Sequence, residues 1–296
     1  MSGVLVLAGA TASGKSDLAV ELARAFDAEI VGADSRQIYR GMPIGTAAPD
    51  AEQRAAVPHH LVEFLDPRER YSAARYASDA TAAIQAIHAR GKRAIVAGGT
   101  GFYIRALTGG VDLAPQFDAA LRDRLAREAR LHPPEFLHGL LALRDPQRAA
   151  ALPPGDAYRI TRALEIALAG PGAPRGDAGA TLRSAGIPFA KIAIDLPMAE
   201  IDARIERRTG AMLERGLTEE AERVGAGVAA ADAVGYPQAF AFLNGWCTRE
   251  ELRETLARAT RRYARRQRSW FRSEPELIWA PPAEIAALAR EKLGWR

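Results

Sequence analysis

The sequence predicts an α/β protein: a parallel sheet covered by helices, interrupted by an all-helical insert. Short apolar runs alternate with stretches of helical period through the first third of the chain, which is the pattern of strands joined by helical crossovers. The alternation stops at about residue 114 and resumes near residue 189. Between those points three helical patterns follow one another with no strand candidate.

Taken in order, Val4-Leu5-Val6-Leu7-Ala8 is a continuous apolar run of strand length that ends at Gly9. Leu18, Ala19, Leu22, Ala23 and Phe26 then recur at helical spacing, so the chain opens as strand, loop, helix. Further strands are expected at Glu29–Val31, His60–Leu65, Arg93–Ala97 and Lys191–Leu196, with a long helix over Ser72–Arg90. The insert carries helical patterns at Phe117–Leu131, Pro134–Leu143 and Asp156–Leu168, and Gly170–Gly179, rich in Gly and Pro, reads as a flexible connection. The core is thus residues 1–113 and 189–296, and the insert is 114–188. From Met198 the pattern is mainly helical, including Arg249–Arg272, with one late strand at Glu276–Ala280.

Composition narrows the functional classes. No apolar run is long enough to span a bilayer, and the N-terminus lacks the charged start of a cleavable signal, so a soluble cytoplasmic protein is expected. A single cysteine, Cys247, rules out an internal disulfide and a thiolate metal cluster. The five histidines lack the spacing of a zinc site; His59-His60 read as packing residues, and Asp66 and Asp195 as turn or cap residues. The net charge is only +4, but seven arginines and no acidic residue fall between Arg258 and Arg272. A cation field of that density calls for a polyanion. On the helix, Arg258, Arg261, Arg265, Arg268 and Arg272 share a face at steps of three or four, opposite Leu252, Leu256, Ala259 and Tyr263.

The chemistry concentrates at three strand ends. Gly9-Ala10-Thr11-Ala12-Ser13-Gly14-Lys15-Ser16 fits G-x4-G-K-[ST] and sits between strand and helix, where a P-loop belongs. Its amides and the positive end of the helix dipole can grip a diphosphate, Lys15 adds a point charge, and Ser16 can ligate Mg²⁺. The loop alone leaves open whether the diphosphate belongs to a nucleotide. Asp34, in Asp34-Ser35-Arg36-Gln37, follows the second strand and could hold Mg²⁺ through water or take a proton from a nucleophile. Gly98-Gly99-Thr100-Gly101 ends the strand at Arg93–Ala97, and Thr100 could hydrogen-bond a substrate amine.

These segments resemble the tRNA dimethylallyltransferase family. The likeness runs through Gly9–Ser16, Gly32–Pro49, Val57–Ser72, Gly98–Asp112, Asp145–Ile166, Arg204–Leu217, Ala233–Gln238 and Arg261–Arg272. It departs at Ala10, where a proline is common, at Arg36, where a hydrophobic residue is frequent, and in the shortened Thr181–Pro188 connection. The resemblance implies a P-loop NTPase-like fold whose loop binds dimethylallyl diphosphate, with Mg²⁺ as cofactor and pyrophosphate as leaving group. The acceptor it implies is the exocyclic amine of the adenosine just 3′ of the anticodon. Asp34 is then the base, Thr100 the positioning partner and Lys15 the stabiliser of the leaving group, with Arg208 facing the pyrophosphate. It implies tRNA contacts at Asp34, Ser35, Arg36, Gln37, Thr100, Arg122, Tyr158, Arg159, Ile160, Thr161 and Arg162; the basic helix adds Arg261, Arg265 and Arg268. The partners are the anticodon arm of tRNA and the prenyl donor, with no membrane, and the chain is expected to be a monomer. Two other readings stay open on the residues alone: prenyl transfer to free adenine nucleotides, and an ATP-dependent kinase or ATPase in which Asp34 holds magnesium.

Overall fold

A computed structural model describes residues 2–111, 118–169 and 180–296. The chain forms two compact units, Met1–Val111 with Gly179–Arg296, and Asp112–Ala178. In the larger unit six strands, β1 (Val4–Ala8), β2 (Ala28–Gly32), β3 (His59–His60), β4 (Arg93–Gly98), β5 (Phe189–Ile194) and β6 (Leu277–Ala280), form one sheet in the order β3-β2-β4-β1-β5-β6. Every pairing is parallel. Parallel neighbours need crossovers, supplied here by helices such as Lys15–Ala25 and Ala73–Ala89. All five residues of the central β1 have no exposed surface, which is why they read as a continuous apolar run rather than an alternating one.

Register brings the strand ends level. Ala8 pairs with Gly98 and Gly32 with Ala97, so β1, β2 and β4 finish side by side at their carboxyl ends. In open parallel sheets this edge is where ligands bind. Leu5, Leu7, Ile95 and Ile192 meet Phe26 and Ala19 in the core, and Trp295 closes it with an edge-to-face contact on Phe26 at 5.2 Å. The 24-residue helix Arg249–Arg272 starts at a capping box in which Thr248 and Glu251 each satisfy the other's backbone amide.

The smaller unit contains helices Ala119–Leu131, Pro134–Arg144, Pro146–Ala150 and Ala157–Ala169, around its own core of Leu125, Leu137, Leu141, Ile160 and Leu164. No strand occurs among its described residues. Two expectations need correction. The strand expected over His60–Leu65 stops at His60, because Leu61 and Glu63 take left-handed backbone at φ 57° and 49° and cannot continue an extended ladder. Residues 180–188, assigned to the insert from sequence, belong to the larger unit: Leu182 donates to the Leu107 carbonyl and Val4 to the Pro188 carbonyl, both at 2.8 Å. Phe117 and the connection Gly170–Gly179 lie outside the described residues. Among the described residues no helix is long and apolar enough to cross a membrane.

Candidate active site

The loop after β1 is shaped as its sequence demands. Gly14 takes φ +86° just before the helix Lys15–Ala25, a left-handed conformation that glycine adopts without steric cost. Ala12 shares that region at φ 63°, where a Cβ is strained, and such strain collects at binding loops. Ser13 is buried and its hydroxyl has no partner among the described residues, so a donor stands ready inside the loop. Lys15 Nζ donates to the Ala10 carbonyl at 2.9 Å. Burial lowers the Lys15 pKa to about 8, against the opposing pull of the Asp34 carboxylate and with a further push from Arg208. Arg208, on helix Met198–Glu214, reaches Thr11 Oγ1 at 3.4 Å and completes a cationic collar round the loop.

Beside the loop, the ends of β2 and β4 are zipped together. Ala33 donates to the Ala97 carbonyl at 2.8 Å, and Thr100 N–H donates to the Ala33 carbonyl at 3.1 Å. The approach is so close that a Cβ on Gly98 would lie 2.1 Å from the Ala33 oxygen, which is why that position is glycine. Asp34 emerges here, with Oδ1 fixed by the Arg36 N–H at 2.9 Å. The Thr100 hydroxyl accepts from the Ser35 N–H at 2.9 Å and donates to Ser35 Oγ at 3.3 Å. It therefore orders the backbone next to Asp34.

Lys15, Asp34, Ser35, Arg208, Tyr263 and Arg266 line a cleft of about 620 Å³. Arg36 stands on its wall and makes a two-point ion pair with Asp232 at 2.7 and 3.1 Å. The Gln37 side chain is committed to the carbonyls of Thr46 and Ala47, at 3.2 and 3.0 Å. No group of three His, Cys, Asp or Glu that could hold a metal ion occurs among the described residues. Ser16, Asp17 and Asp34 line the same cleft, however, and a few hard oxygens beside a diphosphate suit Mg²⁺, which keeps water and phosphate oxygens as its other ligands.

On the basic helix the three arginines expected to meet tRNA have carboxylate partners. Arg261 pairs with Glu206, Arg265 with Asp202 at 2.8 Å, and Arg268 with Asp195 at 2.9 Å while lying over the Trp279 ring at 5.3 Å. These three arginines tie the helix to Met198–Glu214 and the end of β5. On this helix the exposed arginines without a carboxylate partner among the described residues include Arg258, Arg262, Arg266 and Arg272. Arg266 lies over the Tyr263 ring at 5.7 Å on the wall of the cleft. Sequence reading also missed Gln267, a neutral residue in a run of arginines, and Glu220. Glu220 is fully buried, and its carboxylate accepts from Ile44 N–H, Gly45 N–H and Tyr236 Oη at 2.7 to 2.9 Å, holding the Gly45–Ala48 lip of the cleft.

In the smaller unit the segment Tyr158–Arg162 divides. Tyr158 is 83% exposed and Arg159 pairs with Asp156, but Ile160 is fully buried in that unit's core and cannot reach a nucleic acid. Thr161 donates to the Ala157 carbonyl at 2.5 Å. Arg122 and Arg162 both hold Glu165, at 2.9 and 2.6 Å. His60 pairs with Glu29 at 2.6 Å, in keeping with a packing role.

Comparison with known proteins places this geometry. Residues 37–274 match the family model described as IPP transferase. The tRNA dimethylallyltransferase of Anaeromyxobacter sp. (strain K) is 47% identical over 295 residues, covering 98% of this chain and 97% of its own. Among solved structures, the full-length tRNA isopentenylpyrophosphate transferase of Bacillus halodurans is 33% identical, with a TM-score of 0.72 over 99% of this chain and 97% of that one. The tRNA delta(2)-isopentenylpyrophosphate transferase of Staphylococcus epidermidis is 27% identical, with a TM-score of 0.68 over 99% of both chains.

Proposed function

The chain belongs to the IPP transferase family, and from that premise we propose that the cleft at the carboxyl edge of its sheet transfers a dimethylallyl group to tRNA. The donor is dimethylallyl diphosphate, and the acceptor is the exocyclic N6 amine of the adenosine 3′-adjacent to the anticodon. The observation that carries the reading is that Lys15, Arg208 and the Asp34 carboxylate face one cleft. A loop shaped for diphosphate thus stands beside a candidate base.

The reaction forms a bond between N6 and the allylic C1 as the C1–O bond to pyrophosphate breaks, and the amine loses a proton. The amine is a poor nucleophile because its lone pair is delocalised into the ring, so a base within reach is needed as the bond forms. Asp34 accepts that proton in this reading; its Oδ1, held by the Arg36 N–H, leaves Oδ2 for the amine. Thr100 acts one residue removed, by fixing Ser35. Negative charge gathers on the leaving pyrophosphate, where the loop amides, the Ser13 hydroxyl, Lys15 and Arg208 stabilise it as it develops. Ser16 would hold Mg²⁺ arriving with the diphosphate, and the ion would neutralise that group further. The phosphate loop takes a prenyl donor here rather than a nucleoside triphosphate.

An adenine must leave its stack before its amine can enter the cleft, at a cost of a few kcal/mol. Phosphate contacts along Arg258, Arg262 and Arg266 offset that cost. In this reading the enzyme acts as a monomer and works where tRNA is, in the cytoplasm. The test mixes purified protein, Mg²⁺, dimethylallyl diphosphate and unmodified tRNA, then weighs the digested nucleosides. A prenyl increment on adenosine that disappears in a folded Asp34→Ala variant is expected; its absence with the unaltered protein overturns the reading.

A further inference from the structure

Gln267 sits five residues before the end of helix Arg249–Arg272 and is buried, unlike the arginines around it. Both ends of its amide are used. Oε1 accepts from the Thr11 N–H of the phosphate loop at 2.8 Å, and Nε2 donates to the Gly99 carbonyl at 2.9 Å. One side chain therefore joins the loop after β1 to the turn after β4. The packing around it is equally specific: a Cβ on Gly99 would fall 2.3 Å from Gln267 Nε2, and one on Gly101 would fall 2.1 Å from the Trp270 ring.

We infer that Gln267 is a positioning residue that fixes the separation between the diphosphate loop and the turn that orders Asp34. The inference rests on the prenyl-transfer reading above and adds a residue to it. The Thr11 N–H is held by Gln267, so the loop's remaining donors keep their aim only while that bond persists. On the other side, the Gly99 carbonyl precedes Thr100, whose hydroxyl holds Ser35 beside Asp34. A shift of either anchor changes the distance the prenyl carbon must cross, and small misplacements of reacting groups are costly in rate.

Two variants separate positioning from mere packing. Gln267→Met keeps the length and apolar bulk of the side chain but loses both bonds. Gln267→Glu keeps an acceptor for Thr11 but, when ionised, cannot donate to Gly99 and brings a negative charge toward the donor diphosphate. Steady-state kinetics with dimethylallyl diphosphate and unmodified tRNA should show the donor KM of Gln267→Met raised about tenfold, with kcat also lowered. For Gln267→Glu the ratio of donor KM to that of the unaltered enzyme should fall as the pH is lowered and the carboxyl regains a proton. Circular dichroism under the assay conditions must show each variant fully folded, because reversible unfolding raises the apparent KM by the reciprocal of the folded fraction. Unchanged donor KM in both variants, whether or not kcat falls, overturns the inference while leaving the prenyl-transfer reading standing. No prenyl transfer by the unaltered enzyme overturns that reading instead.

Discussion

At the scale of single residues, Lys15 carries the most exacting prediction. Its pKa of about 8 arises because burial disfavours the ammonium, an effect that Asp34 only partly offsets. In the donor-free enzyme the group is charged below that pH and neutral above it. A diphosphate binds the charged form, so the donor KM should rise as pH increases through about 8, and bound donor should draw a proton onto the lysine. For folding the sign is opposite. Between about 8 and 10.5 the unfolded chain holds the proton that the folded chain has released, so the lysine makes the donor-free protein more stable as pH rises across that window. Lys15→Ala should lower turnover by about 100- to 1,000-fold. Steady-state kinetics across a pH series check the lysine's role, with donor KM flat for that variant and rising for the parent and kcat lower in the variant, and denaturation midpoints from pH 8 to 10.5 check the stability sign.

Among the elements, helix Arg249–Arg272 shows where sequence reading succeeds and where it stops. Its limits and its periodicity were legible, because caps and apolar spacing are local. Which arginines are paired was not, because Glu206, Asp202 and Asp195 that claim Arg261, Arg265 and Arg268 lie on other elements. Ile160 was misplaced for a related reason: a segment matched as a block includes the residue that turns inward. The phosphate loop, by contrast, is contiguous and announces itself. Replacing Arg258, Arg262 and Arg266 together by Gln should reduce the slope of log K for tRNA against log salt by about 2, since each lost phosphate contact releases fewer counterions. Replacing Arg261, Arg265 and Arg268 should lower the melting temperature and leave the slope in place. Binding titrations at several salt concentrations distinguish the two sets.

For the molecule as a whole, the division into two units has thermodynamic content. The sheet core and the core around Ile160 have no residue in common. Truncating a buried isoleucine to alanine typically costs about 2–5 kcal/mol, and in Ile160→Ala that loss should fall on the smaller unit. Hydrogen exchange provides the check: amides of helices Ala119–Leu131 and Ala157–Ala169 should lose protection while those of β1 keep theirs. The parallel sheet and the helical insert were both foreseeable from alternation and its interruption. Gln267 and Glu220 were not, since the Thr11 and Gly99 groups that meet the one and the Ile44 and Gly45 amides that meet the other lie more than half the chain away.

The missing side chains at Gly99 and Gly101 also constrain how this protein can change over evolutionary time. With a Cβ at Gly101 only 2.1 Å from the Trp270 ring, a lineage can add a methyl group at one position only by giving up volume at the other. Gly99 and Gln267 are bound by the same exchange. A side chain at Gly99 or Gly101 thus becomes admissible only after Gln267 or Trp270 has moved or shrunk, whereas the reverse order is open.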